Sequence, residues 1–212
     1  MSGDPSGLRR RLRKAGGPLT RLPIIEILIL CTANTCRSPM AEALMGRALA
    51  DRGLDVAVSS AGLLYDGEPA TVTGVDTMEA WGLDLTGHRS RRVTPDLLGS
   101  ADLIVAMARQ HVREAVVLRP DRYPRIFTLK EIVRRGTDVG PRPADEPLEA
   151  WLARVHQGRR PTGQLGESPD DDVADPVGQG PAVYERTARE LDDLITRLVD
   201  LLWQHVRSTA PA

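Results

Sequence analysis

The sequence predicts an α/β domain in three layers, a four-stranded parallel sheet with helices on both faces and a ligand loop directly after the first strand. Three observations point there. Short β-branched runs alternate with stretches of helical period, the pattern of parallel strands joined by crossover helices. The C-terminal stretch carries one apolar stripe suited to lie on a sheet. Aromatic residues make up only 3% of the chain, which leaves the core to aliphatic side chains. At roughly 100 to 200 residues per domain, a chain of 212 residues holds one domain with attachments.

The first strand is Ile24-Ile25-Glu26-Ile27-Leu28-Ile29-Leu30, a continuous apolar run with Glu26 near its entry, as expected of a strand buried on both faces. It ends at Cys31. A loop follows, and Ser38-Pro39 supplies a hydroxyl N-cap and a proline at the first helical position, with Glu42 in the first turn and Met40, Leu44 and Ala48 spaced by four. Asp55 to Ser60 is the second strand, closing at Ala61-Gly62. Val72 to Trp81 is helical and stops at Gly82. Ala101 to Met107 forms the third strand, Arg109 to Leu118 the next helix, and Ile126 to Leu129 the fourth strand. The last helix spans Ala182 to Trp203, with Tyr184, Ala188, Leu191, Ile195, Leu198 and Leu202 on one face.

Two segments fall outside this rhythm. Residues 1–22 carry Arg9, Arg10, Arg11, Arg13, Lys14 and Arg21 against the single acid Asp4 and read as a basic, disordered, solvated tail, with a matching disordered end at 206–212. Residues 136–173 hold ten glycines or prolines and eight acids against four arginines. This is an insertion within a domain spanning 23–205, with one amphipathic helix over Pro147 to Gln157.

Composition excludes several classes. A net charge of −1 gives no global field for nucleic acid or an anionic membrane. The longest apolar stretch falls far short of the roughly 20 residues of a spanning helix. Two cysteines, Cys31 and Cys36, form no disulfide framework and suit a reducing cytoplasm. The acids Asp170, Asp171 and Asp172 read as a solvated run rather than a metal site, and no His-Glu-x-x-His pattern occurs.

The chemistry is concentrated in Cys31-Thr32-Ala33-Asn34-Thr35-Cys36-Arg37-Ser38-Pro39. A cysteine and an arginine separated by five residues bracket a loop between strand and helix. Such a loop can turn its amides around a tetrahedral oxyanion, helped by the positive end of the helix. Arg37 suits a two-pronged grip on phosphate oxygens, and the same field favours Cys31 as thiolate nucleophile. Asn34 and Ser38 carry side chains that brace the loop or bond the sulfur.

The loop runs on into Ser-Pro-Met-Ala-Glu-Ala-Leu, and here the sequence resembles the low-molecular-weight protein tyrosine phosphatase family, most of all its bacterial protein-arginine phosphatases. The resemblance covers Ile24 to Arg135 and resumes at Asp175. It implies phosphate binding by Thr32, Ala33, Asn34, Thr35, Cys36 and Ser38. Ser60 and His88 match a serine and a histidine that support the loop, and Asp175, in Asp175-Pro176, matches the general acid. It further implies a cysteinyl-phosphate intermediate, no cofactor and no metal, and phosphorylated protein substrates, with neither membrane nor specific nucleic acid as partner. Thr35 stands where arginine-directed members carry threonine and tyrosine-directed ones isoleucine, which favours phosphoarginine over phosphotyrosine. Three departures stand out: Ala33 replaces a usual glycine, Val177 replaces a usual aromatic for which Tyr65 is the candidate substitute, and the insertion precedes Asp175. Cys36 is either a partner that traps oxidised Cys31 or an inert small residue. Two rivals remain at this point, an arsenate reductase using a small thiol and a silent phosphopeptide-binding module.

Overall fold

In the computed structural model, which describes residues 25–204, strand β1 (Ile25–Cys31) is central because its side chains are apolar in both directions. Ile27, Ile29 and Cys31 enter one core; Leu28 and Leu30 enter the other. Helix α1 (Arg37–Ala50) follows, then β2 (Val56–Gly62), α2 (Val72–Ala80), α3 (Pro95–Ser100), β3 (Leu103–Ala106) and α4 (Arg109–Leu118). After a short 3-10 turn come β4 (Ile126–Thr128), α5 (Leu129–Val139), α6 (Leu148–His156) and α7 (Pro181–Trp203). All four strands are parallel in the order β2-β1-β3-β4. Cys31 pairs with Gly62 and Leu30 with Ala106, so the carboxyl ends of three strands meet at one rim. The tail at 1–22 and the end at 206–212 lie outside the described residues.

Three layers result. On one side α1, α2, α5, α6 and α7 cover Ile27, Ile29, Val105 and Phe127. On the other, Leu98 of α3 with Val112 and Ala115 of α4 covers Leu28, Leu30, Ile104 and Ile126. The stripe on α7 is fully engaged: Tyr184, Ala188, Leu191, Ile195, Leu198 and Leu202 are all buried. At roughly 1.5 to 3 kcal/mol per buried aliphatic side chain, this helix is a principal support of the first core.

Several elements depart from the sequence pattern. Helix α1 starts at Arg37 with Cys36 as its N-cap, and no side chain caps it. Ser38 is therefore not the cap and Pro39 is the third helical residue, because the Ser38 hydroxyl is engaged by the preceding loop. Glu42 accordingly lies beyond the first turn. Helices α3 and α5 were not legible as periodic runs. Each is instead announced by its cap: Thr94 accepts from the Leu97 amide at 3.2 Å and Thr128 from the Glu131 amide at 3.1 Å.

The segment 136–173 is built into the fold. Its first residues complete α5, and Trp151, Leu152 and Val155 of α6 are buried in the main core. Gly136 makes room: a Cβ there would lie 3.0 Å from Leu201 and 3.1 Å from Trp151. Arginines close the backbone groups that an irregular segment leaves open. Arg142 bonds the carbonyls of Leu202 and Glu146, and Arg135 those of Val155 and Gln157.

Candidate active site

The loop between β1 and α1 is held by its carbonyls. Thr32 O accepts from the Leu63 amide at 2.7 Å, Asn34 O faces His88 Nε2 at 2.6 Å, Thr35 O accepts from the Thr71 amide at 2.8 Å and Cys36 O from the Met40 amide at 3.1 Å. In a trans peptide the N–H points opposite to the preceding C=O. Anchoring those four carbonyls outward therefore turns the amides of Ala33, Thr35, Cys36 and Arg37 toward the loop's centre. Asn34 is the one non-glycine with positive φ among the described residues, at 56°, a conformation asparagine tolerates. Ala33 is not in that region, so its methyl group costs no backbone strain. The close approach falls on Gly62 instead, where a Cβ would lie 2.7 Å from Asn34 N, 2.8 Å from Ala33 C and 2.9 Å from Thr32 O.

Side chains then fix the sulfur. Asn34 Nδ2 donates to Ser38 Oγ at 2.9 Å and to Ser60 Oγ at 2.7 Å, while its Oδ1 accepts from the Arg91 amide at 2.9 Å. Ser60 passes its hydrogen to Glu42 Oε2 at 2.5 Å. Ser38 Oγ lies 3.0 Å from Cys31 Sγ and donates to the sulfur when it is a thiolate, and the Asn34 amide donates to it at 3.2 Å. Asn34 and Ser38 thus contact Cys31 directly, while Ser60 and His88 bond Asn34. Glu42, Arg91 and Gly62 were missed: nothing in their local spacing marks a partner that the chain meets only after β2 forms.

Arg37, whose side chain is 7% exposed, reaches across the loop mouth. Its Nη1 donates to Val173 O at 3.1 Å and its Nη2 pairs with Asp175 Oδ2 at 2.5 Å. The Val173 amide bonds Met107 O at 2.8 Å, which ties the segment carrying Asp175 to the end of β3. Thr32, Arg37, Val173 and Asp175 share a cleft of about 320 Å³. His111 of α4 also lines it, 1% exposed, with Nε2 at 2.9 Å from Thr32 Oγ1. Arg37 Nη2 approaches the same hydroxyl at 3.4 Å, so Thr32 Oγ1 bridges the guanidinium and the imidazole. Burial, with Arg37 and Arg113 nearby, pushes His111 down to about 3 and keeps it neutral.

Other residues are placed differently from expectation. Asp171 and Asp172 are not solvated. Asp171, 5% exposed, accepts from Arg109 at 2.6 Å and Arg134 at 2.6 Å; burial opposes its charge, but those two bonds prevail and lower its pKa. Asp172 accepts from the amides of Arg109 and Ser168 at 2.7 and 2.9 Å. Of the three, Asp170 alone is exposed. Tyr65 is half exposed and does not line the cleft, and Val177 is likewise exposed. Cys36 is buried behind the loop beside Tyr184, and burial pushes its thiol up to about 12, which keeps it protonated.

Comparison with known proteins agrees with this architecture. Residues 26–147 match the low molecular weight phosphotyrosine protein phosphatase family. A protein-arginine-phosphatase of Bacillus subtilis is 34% identical over 181 residues, covering 84% of this chain and 97% of that protein. The crystal structure of a low molecular weight protein tyrosine phosphatase from T. tengcongensis superposes with a TM-score of 0.65 at 32% identity, covering 84% of this chain and 99% of that one. A YwlE arginine phosphatase variant with a phosphorylated active-site serine gives a TM-score of 0.63 at 32% identity, covering 86% and 100%. The chain belongs to the low molecular weight phosphotyrosine protein phosphatase family, whose members are cysteine-dependent phosphatases acting on phosphotyrosine or phosphoarginine.

Proposed function

We propose that this protein hydrolyses phosphorylated side chains of proteins through a phosphate ester of Cys31, with phosphoarginine preferred to phosphotyrosine. The observation that carries the reading is the approach of the Ser38 hydroxyl and the Asn34 amide to Cys31 Sγ, inside a loop whose anchored carbonyls turn four amides inward. Such a ring stabilises both a sulfur anion and the equatorial oxygens of a phosphoryl group in transfer. The phosphorylated serine in the YwlE variant supports the same position as the phosphate acceptor in that relative.

In the first step Cys31 Sγ attacks phosphorus in line, the S–P bond forms and the bond to the leaving group breaks. Asp175 gives that group its proton, while Arg37 and the amides hold the oxygens. In the second, water attacks the cysteinyl phosphate, Asp175 takes its proton, the S–P bond breaks, and inorganic phosphate leaves. Asn34, Ser38, Ser60, Glu42 and His88 keep the loop's shape through both steps. Cys36, protonated and packed beneath the loop, is an inert filler in this cycle.

Substrate choice rests on Thr35, half-buried in the loop. Its hydroxyl suits a polar, planar phosphoguanidinium, whereas a phenyl ring gains more from apolar walls, and Val177 offers little of these. The test measures kcat/KM on phosphoarginine and phosphotyrosine for wild type and Thr35→Ile, with acid quenching to trap phosphate on Cys31. The variant should move the ratio toward phosphotyrosine by about tenfold, or about 1.4 kcal/mol. An unchanged ratio would refute the arginine preference; phosphate trapped elsewhere would refute the Cys31 ester.

A further inference from the structure

Beside the cleft, α5 and the chain that follows α6 enclose a second concavity of about 350 Å³. Its wall holds five arginines, at 109, 134, 135, 159 and 160, against two carboxylates, Glu131 and Asp171. Five minus two leaves three positive charges in one hollow, on a chain whose net charge is −1.

Two of these arginines are structural. Arg159, its side chain 1% exposed, gives Nε and Nη2 to Glu131 at 2.8 and 2.9 Å, bonds the carbonyls of Tyr123 and Ile126, and stacks 4.0 Å over Phe127. It is the floor. Arg109 gives Nε and Nη2 to Asp171 and Nη1 to Leu165 O. The other three keep donors in reserve. Arg134 is 54% exposed and, among the described residues, donates only through Nη2, to Asp171. Arg135 bonds two carbonyls and has no acidic partner among the described residues. Arg160 is exposed; its carbonyl accepts from the Gly163 amide at 2.9 Å, while its guanidinium makes no hydrogen bond or ion pair among the described residues.

A guanidinium has five donors in a fixed fork. Three such forks around one hollow, over a floor already neutralised, match a tetrahedral oxyanion that accepts from several directions. An arginine present only to staple the fold would be paired off, and Arg160 staples nothing. The hollow also adjoins the cleft, for Asp171 lines one and Asp172 the other.

We propose that this concavity is a second phosphate-binding subsite, centred on Arg134, Arg135 and Arg160. The ligand is a phosphate group, carried on the substrate protein near the side chain being hydrolysed or free in solution. The first source rests on the phosphatase reading above; the binding itself does not.

The test follows backbone amides of the full chain by NMR while inorganic phosphate is added. The amides of Thr162 and Gly163 should shift saturably in wild type and require at least tenfold more phosphate in Arg160→Glu, with Arg160→Gln intermediate. Continued response of the Ala33 to Arg37 amides in both variants reports that the fold is retained. In parallel, kcat/KM is measured on a multiply phosphorylated protein and on a small aryl phosphate. A fall of fivefold or more in their ratio for Arg160→Glu supports the subsite with substrate-borne phosphate as its ligand. An unchanged ratio with the amide response lost supports it with free phosphate. No saturable shift at Thr162 and Gly163, or one that ignores both substitutions, overturns the proposal. Amide shifts as expected in a protein that turns over no phosphate ester would leave the subsite standing and remove the phosphatase reading instead.

Discussion

His111 is buried without charge beside Arg37, and acid exposes what that costs. Its imidazole falls from 6.5 to about 3, chiefly through burial and then through Arg37 and Arg113. The unfolded chain takes up a proton as pH drops through 6.5, while the folded chain resists until about 3. Stability is therefore greatest above 6.5 and is lost as pH falls between those values. At pH 5 the difference amounts to 1.5 units, and at about 1.36 kcal/mol per unit this is about 2 kcal/mol. His111→Gln removes the titration while keeping an amide able to accept from Thr32. Urea unfolding followed by tryptophan fluorescence at pH 7 and pH 5 should show wild type losing about 2 kcal/mol more than the variant. His156, also lowered by burial and by Arg159 and Arg135, is present in both proteins and cancels. Equal losses would refute the buried neutral imidazole.

Two further substitutions probe the site. Asp175→Ala should slow turnover by about 10² to 10⁴ on substrates with poor leaving groups and less on activated aryl phosphates; equal slowing of both would make Asp175 a structural partner of Arg37. Gly62→Ala forces a methyl group against three backbone atoms of the loop, none able to yield. Its kcat/KM should fall by at least about tenfold, and wild-type kinetics would show that β2 does not set the loop's shape.

The strands and long helices were legible because their patterns are local. β1 is one apolar run, and α7 repeats its stripe through six buried positions. Cys31, Asn34, Arg37 and Ser38 were legible for the same reason, since all lie on nine consecutive residues. Arg91 and His111 come from distant parts of the chain, and Glu42, though on α1 with Ser38, reaches the loop only through Ser60 of β2, so only folding brings these partners to the loop. The Asp170 to Asp172 run was misread because composition counts charges without their partners. Arg109 and Arg134, which bury Asp171, lie 62 and 37 residues away. The 136–173 segment looked loose for its glycines and prolines, yet Gly136 is the residue that lets Trp151 into the core.

The Arg37–Asp175 pair has a bearing on which anions can enter at all. A guanidinium this deeply buried is never left bare: its charge is neutralised by a carboxylate that is itself 45% exposed. An anion that takes the same guanidinium nitrogen must displace that carboxylate. A small monovalent ion offers one charge in exchange for one and gains little. A phosphoryl dianion brings more charge and three oxygens that also reach the inward amides, so it wins the exchange. In the mechanism proposed above, its arrival would release Asp175 beside the departing group, where that mechanism needs a proton donor. On that proposal, occupancy of the seat and release of the acid would be one event, and the loop would select its anion before any chemistry begins.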